Sequence, residues 1–221
     1  MFRLDVYTAK LLYDLQSFFG KRLVYLGLQG SYLRNEQNED SDIDIMTVID
    51  TLTVNDLECY RNILADIGYY EKSCGFICGK AELANWNPLE ICHLLHTTKD
   101  IYGTLSELLP DYSHADEKNF IKLSLGNLYH ELCHRYVHSD SEKNIAKLPY
   151  AYKSVFFILQ NIYYMENGVF YNSKNELTDH LDGISKEVMH LATALQNNSD
   201  YDFDYAFNLL FSWCQETLKR L

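Results

Sequence analysis

The sequence has few of the features that mark membrane, secreted or nucleic-acid-binding proteins. No apolar run approaches the roughly 20 residues that cross a bilayer, and the first residues lack the basic-then-apolar pattern of a signal peptide. We therefore expect no membrane association and a cytoplasmic location. Basic residues are scarce, because 19 lysines and arginines face 31 aspartates and glutamates, which leaves a formal net charge of −12. A surface of that sign neutralises few phosphates, so we predict that nucleic acid is not a partner.

Paired cysteine motifs are also absent. The six cysteines form no CxxC pair and fit neither a secreted disulfide framework nor a common zinc site, so we expect reduced and mostly buried thiols. Apolar residues, in contrast, are plentiful: 47% of the chain is hydrophobic and 14% is aromatic. This composition predicts a globular protein, and 221 residues suffice for one large domain or two compact ones.

The spacing of the apolar residues changes near Pro110. Before that point short β-rich runs alternate with helical repeats: the predicted strands are 22–30, 42–49, 73–78 and 89–95, and the predicted helices are 4–19 and 55–67. After it the spacing is helical throughout, with predicted helices around 120–132, 155–165, 181–195 and 205–218. We therefore predict an α/β (α+β) fold, with a mixed-sheet domain over residues 1–110 followed by an α-helical bundle over residues 111–221.

The stretch from Leu28 to Asp50 combines two features that suit one chemistry. Asp42 and Asp44 begin a predicted strand, in which alternate side chains share a face, so both carboxylates are expected to point the same way. Neighbouring carboxylates repel each other unless a cation lies between them, and magnesium prefers such oxygen ligands. Upstream, Gly30 allows the backbone to approach a phosphate, and Ser31 offers a hydroxyl at a predicted helix start, where anions are favoured. The sequence therefore predicts a metal site next to a phosphate-binding turn.

Each of these features is common by itself, since a DxD pair often lies on an edge strand and a Gly-Ser pair is often only a turn. Their order is more specific: a strand, Gly30-Ser31, a short helix, and then a strand that begins at Asp42 and Asp44. This order resembles the signature of the DNA polymerase β-type nucleotidyltransferase superfamily, in its minimal and antibiotic-modifying branches. The N-terminal domain is therefore expected to be the catalytic nucleotidyltransferase domain.

A second segment resembles one of these branches more closely. The stretch from Gln160 to Leu177 is similar to a part of the C-terminal helical domain of aminoglycoside (streptomycin/spectinomycin-type) adenylyltransferases, in which a helix ends at glycine and a lysine follows. In those enzymes the lysine helps to hold the triphosphate. The resemblance therefore implies that Lys174 binds the nucleotide.

The resemblance also implies a two-ion magnesium mechanism, in which Asp42 and Asp44 bind the metals and an acceptor hydroxyl attacks the α-phosphate while pyrophosphate leaves. The expected substrates are ATP or another nucleoside triphosphate and a hydroxylated small molecule, with an aminoglycoside-like acceptor as one option. Relatives add a third carboxylate from a later strand, as a metal ligand or a base. Glu90 is our first choice because 89–95 is predicted as a strand, and Glu82 is the alternative. Each of the two can equally be interpreted as an ordinary surface glutamate without a catalytic role.

Other functions stay open at this point. The same domain could adenylylate a partner protein, as in toxin–antitoxin systems, and Arg34 is compatible with that branch; it could also bind a nucleotide without catalysis.

The stretch from His130 to His134, HELCH, matches the HExxH pattern of zinc proteases. A histidine-rich helix produces this pattern by chance, however, and the segment lies in the predicted bundle. The sequence leaves open the acceptor, the preferred base and the oligomeric state.

Overall fold

A computed structural model describes residues 2–196 and 200–221. The chain divides into two compact units, Met1–Tyr112 and Ser113–Leu221. None of the helices in the described residues combines the length and the hydropathy that a membrane span requires.

The first unit is built on a four-stranded mixed sheet. Its strands are β1 (Leu23–Leu28), β2 (Ile43–Ile49), β3 (Ser73–Gly79) and β4 (Lys99–Tyr102), and its α-helices are α1 (Leu4–Phe19), α2 (Gly30–Arg34), α3 (Val54–Ile67), α4 (Lys80–Ala84) and α5 (Pro88–His96). The strand order is β3-β2-β1-β4. β2 and β3 are parallel, whereas β1 is antiparallel to both β2 and β4. The mixed sheet confirms the fold class predicted for this half.

The two faces of the sheet support two separate cores, because side chains alternate along a strand. Ile43 and Ile45 of β2 join a cluster with Leu11 of α1, and residues of α3 pack against the same cluster. Met46 and Val48 point to the opposite face and pack there with residues of α4 and α5. The side chain at position 44 belongs to this second face, at the end where β2 begins.

A capping box fixes the start of α3. The side chain of Thr53 accepts a hydrogen bond from the Asp56 backbone N–H, and the Asp56 carboxylate accepts one from the Thr53 backbone N–H. Asp56 is buried, and Nη2 of Arg22 lies 2.6 Å from its Oδ2. The Arg22 hydrogen bond, followed by that of Thr53, lowers the pKa of Asp56 to about 2.

The second unit is helical. Its helices are α6 (His114–His138), α7 (Ser141–Asn167), α8 (Lys174–Asp179), α9 (Gly183–Gln196) and α10 (Phe203–Arg220). The core between them contains Leu125, Tyr152, Phe156 and Trp213, all of which are buried. The predicted C-terminal helical bundle is therefore confirmed.

One predicted strand is wrong. The segment 89–95 lies within α5, and the fourth strand is β4, which follows that helix. Two local features favour a helix at this point: Pro88 occupies the first turn, and the side chain of Asn87 accepts a hydrogen bond from the Leu89 N–H. A short apolar run such as LEICHLL suits either a buried strand or a buried helix, so its hydrophobic pattern alone does not decide between them.

Candidate active site

The candidate site begins where β1 ends. β1 leads through Gln29 into α2, whose first residues are Gly30 and Ser31. The backbone N–H of Gln29 donates to the carbonyl oxygen of Asp44 at 2.9 Å. The antiparallel pairing of β1 with β2 thus continues to this point, and it holds the Gly-Ser turn next to the start of β2.

Gly30 and Asp44 are in direct contact. A Cβ added at Gly30 would lie only 1.8 Å from Oδ2 of Asp44, so the carboxylate occupies the space that any other residue would fill at this position. Gly30 also has a φ of +71°, in the left-handed region that favours glycine. The structure thus brings together two residues that the sequence predicted to share a site, one as part of the phosphate-binding turn and one as a metal ligand.

Asp42 and Asp44 lie on the same side of the sheet. Asp42 is exposed and directly precedes β2, Asp44 is half-buried within it, and the buried Ile43 between them points to the opposite core. Both carboxylates act electrostatically on the thiol of Cys74 in β3, which indicates that both lie near that residue. The two predicted metal ligands are therefore neighbours on an accessible part of the sheet.

Cys74 is a residue of this site that sequence reasoning missed. In the parallel pairing of β2 with β3 it is the register partner of Asp44, so the two side chains are neighbours on the same face of the sheet. Burial of the sulfur, followed by its interaction with the Asp44 carboxylate, raises the pKa of the Cys74 thiol, although the residue as a whole is exposed. No signal in the sequence identifies Cys74, because the pairing of β2 with β3 depends on how the chain returns through α3.

Glu90 does not lie on a strand next to the aspartates. It is exposed in the first turn of α5, where its Oε2 accepts a hydrogen bond from Nε1 of Trp86 at 2.7 Å. Glu90 was the first choice because residues 89–95 were predicted to form a strand, and that prediction is wrong. A role for Glu90 as the third carboxylate stays a prediction without that support.

Glu82 lies towards the other end of β3. A Cβ added at Gly79 would lie 2.0 Å from Oε2 of Glu82, so this carboxylate packs against the last residue of the strand. Asp44, in contrast, pairs with Cys74, five residues earlier and about 16 Å away at the usual rise of a strand. Across residues 2–196 and 200–221, no three side chains of histidine, cysteine, aspartate or glutamate are placed to hold a metal ion.

Positive charge lies close to the turn. Arg34, the last residue of α2, forms an ion pair with Glu36, with Nε and Oε2 separated by 3.1 Å. The charge of Arg34 also contributes to the lowered pKa of His93 in α5. Burial, followed by the charges of His96 and Arg34, lowers the pKa of His93 to about 4, so that this imidazole is neutral at pH 7.

Lys174 lies in the second unit, at the start of α8. As the resemblance predicted, the preceding helix α7 ends at a glycine, Gly168, and the lysine follows. The ammonium group of Lys174 donates a hydrogen bond to Gln196 and lies 5.9 Å from the ring centroid of Phe156. These contacts define its position within its own unit, and its role in nucleotide binding stays a prediction.

The HELCH segment forms part of α6. His130, His134 and His138 are exposed along one stripe of the helix, with successive ring centroids 5.9 and 4.8 Å apart. Glu131, which would serve as the base of a zinc protease, forms an ion pair with Arg135 at 2.7 Å. The described part of the chain contains no three-ligand metal group in this helix or elsewhere. The arrangement favours the interpretation of this motif as a chance pattern.

Comparison with known proteins agrees with the N-terminal motif. Residues 9–74 match the family model of the nucleotidyltransferase domain. Among solved structures, the chain is similar to the spectinomycin adenyltransferase AAD(9) from Enterococcus faecialis, crystallised with ATP and spectinomycin. The TM-score is 0.61 at 17% sequence identity, and the match covers 98% of this chain and 100% of the other. No curated protein matches the sequence.

Proposed function

We propose that this chain, a nucleotidyltransferase of the DNA polymerase β type whose fold matches that of an aminoglycoside adenyltransferase, transfers AMP from ATP to a hydroxyl group of a small molecule. The observation that carries the proposal is the contact between the Asp44 carboxylate and Gly30. It joins a candidate metal ligand to a turn suited to phosphates, and phosphoryl transfer needs the two within a few ångströms of each other.

The donor set suits magnesium. Asp42 and Asp44 provide hard oxygen ligands, and magnesium is commonly held by one or two carboxylates together with substrate phosphates and water. The ions, when bound, stabilise the charge that develops on the phosphate oxygens and on the leaving pyrophosphate. A site with only two protein carboxylates leaves several coordination positions for the triphosphate, which fits binding of the metal together with ATP.

The chain's own residues orient the nucleotide. The backbone N–H of Gly30 and the hydroxyl of Ser31, at the start of α2, are the proposed donors to the phosphates. The oxygen of the acceptor hydroxyl forms a bond to the α-phosphorus and releases its proton to solvent, the bond from that phosphorus to the bridging oxygen breaks, and pyrophosphate leaves. Lys174 keeps its proposed role as a contact of the triphosphate.

An aminoglycoside-like acceptor has two supports. The similar adenyltransferase was crystallised with spectinomycin, which makes aminocyclitol antibiotics the first acceptors to test. The net charge of −12 would also attract a cationic acceptor. A panel of such compounds, incubated with ATP and magnesium and assayed for pyrophosphate, should show release with at least one of them. The Asp44→Asn variant should show none, and equal release by both proteins would contradict the proposal.

A second function, nucleotide binding without transfer, is favoured by one observation. The register partner of Asp44 on the adjacent strand is Cys74 rather than an acidic residue, and Glu82 packs at the other end of that strand. Metal-dependent binding of ATP without pyrophosphate release would support this alternative. Transfer to a protein acceptor is tested by incubating the chain with labelled ATP and a cell extract. A labelled protein band would indicate a protein acceptor, whereas a labelled small molecule would support the proposed function.

A further inference from the structure

We propose that Cys74 limits the metal affinity of this site, because it places a thiol where a third carboxylate would complete the ligand set of a divalent ion. The inference rests on the proposed function, since it takes Asp42 and Asp44 as the other ligands. It identifies Cys74 as the residue that determines how tightly magnesium or manganese binds. Its direct consequence is that the Cys74→Asp substitution should strengthen metal binding.

The position of Cys74 follows from the sheet. β2 and β3 are parallel, and Asp44 and Cys74 are register partners. Paired residues on adjacent strands point to the same face, with the strands about 4.8 Å apart. The charge of the Asp44 carboxylate also helps to raise the pKa of the Cys74 thiol, which agrees with two side chains that lie close together. A carboxylate at position 74 would therefore lie next to that of Asp44.

Position 74 is also the accessible position of β3 on this face. The next residue on the same face is Phe76, whose ring lies 5.0 Å from the ring of Trp86, and the one after it is Cys78, which is buried. Cys74 itself is exposed. The two additional heavy atoms of aspartate therefore have room at position 74, whereas Phe76 is half-buried and Cys78 is buried.

The chemistry of the ion explains why the residue type matters. Magnesium and manganese prefer carboxylate oxygens, whereas thiols suit softer metals. Affinity for such ions depends on the number of charged ligands. Within residues 2–196 and 200–221, no three side chains of histidine, cysteine, aspartate or glutamate are placed to hold a metal ion, so the thiol of Cys74 does not complete a ligand set with the two aspartates. A carboxylate at position 74 is therefore expected to change the affinity for magnesium or manganese more than any uncharged side chain at that position.

The test compares Cys74→Asp with Cys74→Asn, because the two side chains have nearly the same shape and differ in charge. Binding of manganese in the presence of a non-hydrolysable ATP analogue would be measured by calorimetry for both variants and for the unchanged protein. We expect Cys74→Asp to bind manganese about tenfold more tightly than Cys74→Asn. The affinity of Cys74→Asn should stay within about twofold of that of the unchanged protein.

A second measurement does not depend on calorimetry. Without metal, the added carboxylate next to Asp44 should lower the melting temperature of Cys74→Asp below that of Cys74→Asn, because like charges repel. Manganese with the analogue should then raise the melting temperature of Cys74→Asp by more. Circular dichroism of both variants without metal would show whether they are folded. Equal metal-induced shifts in two folded variants would overturn the proposal.

The outcomes separate this inference from the proposed function. If the unchanged protein binds the metal and analogue, and Cys74→Asp binds no more tightly than Cys74→Asn, Cys74 does not limit affinity and only this inference fails. If Cys74→Asp binds and the unchanged protein does not, the role of Cys74 is supported and catalysis by the natural chain is refuted. Absence of binding in every protein would refute both.

Discussion

The contact between Gly30 and Asp44 makes Gly30→Ala an informative perturbation. The alanine Cβ would lie 1.8 Å from Oδ2 of Asp44, whereas such contacts are essentially never shorter than 3.0 Å, so the carboxylate must move. The required shift exceeds about 1 Å, and a displacement of that size can lower turnover about 100-fold. A 100-fold loss corresponds to about 2.7 kcal/mol at the barrier. The left-handed φ of +71° adds about 1–2 kcal/mol of backbone strain for alanine.

Gly68→Ala provides the matched control in the same unit. Gly68 also has a positive φ, +95°, but a Cβ at this position meets no atom within 4 Å. Both variants should therefore lose stability in urea unfolding, whereas only Gly30→Ala should lose binding of manganese with a non-hydrolysable ATP analogue. If Gly30→Ala binds the metal and nucleotide as tightly as Gly68→Ala, the reasoning that places Asp44 in the metal site through this contact is refuted.

Three further predictions concern ionisable groups. Arg22 holds the pKa of Asp56 at about 2, so the ion pair contributes stability that is present above the ordinary carboxyl pKa and is lost as the pH falls towards 2. Arg22→Gln should therefore move the acid-unfolding midpoint, followed by circular dichroism, to higher pH; an unchanged midpoint would contradict this. Burial lowers the pKa of His93 from 6.5 to about 4, so the unfolded chain takes up the proton first and unfolding free energy should decrease as the pH falls through this interval. His93→Gln should reduce that dependence in urea titrations, and an unaltered slope would argue against it. Burial raises the pKa of the Cys214 thiol to about 12. Iodoacetamide near neutral pH should therefore label the exposed Cys74 well before Cys214, as measured by peptide mass spectrometry. Equal labelling of the two cysteines in the folded protein would contradict this prediction.

Much of the fold was predictable because local and global preferences agree. Apolar residues at helical spacing predicted a helix over 4–19, and Gly20 ends it with a positive φ. The alternation of Asp42, Ile43, Asp44 and Ile45 predicted a strand with one buried and one polar face; β2 has that pattern only where it begins, since both of its faces are buried from Ile45 onwards. In both segments a residue's type and its burial have the same periodicity.

The errors have two causes, an ambiguous apolar run and a strand whose place depends on a tertiary contact. The run over 89–95 is apolar enough for either a strand or a helix, and its start at Asn87 and Pro88 favours the helix. β4 is a four-residue edge strand that includes Lys99 and Asp100, and a short strand with charged residues has little hydrophobic pattern. Its place in the sheet comes from its pairing with β1.

The candidate site divides in the same way. Gly30, Ser31, Asp42 and Asp44 were identified because their chemistry lies within one short stretch of sequence. Cys74 was not, because its proximity to Asp44 requires β3 to return beside β2 in parallel. A single sequence does not indicate which residues from distant segments become neighbours when two strands pair.

The most direct test of the metal site is calorimetric titration of ATP, with and without magnesium, into the unchanged protein and into the double variant Asp42→Asn, Asp44→Asn. We expect the unchanged protein to bind ATP tightly only with magnesium, and the double variant to lose the magnesium-dependent part of the binding. Equal binding by both proteins, whether or not magnesium is present, would contradict the assignment of the two aspartates as metal ligands.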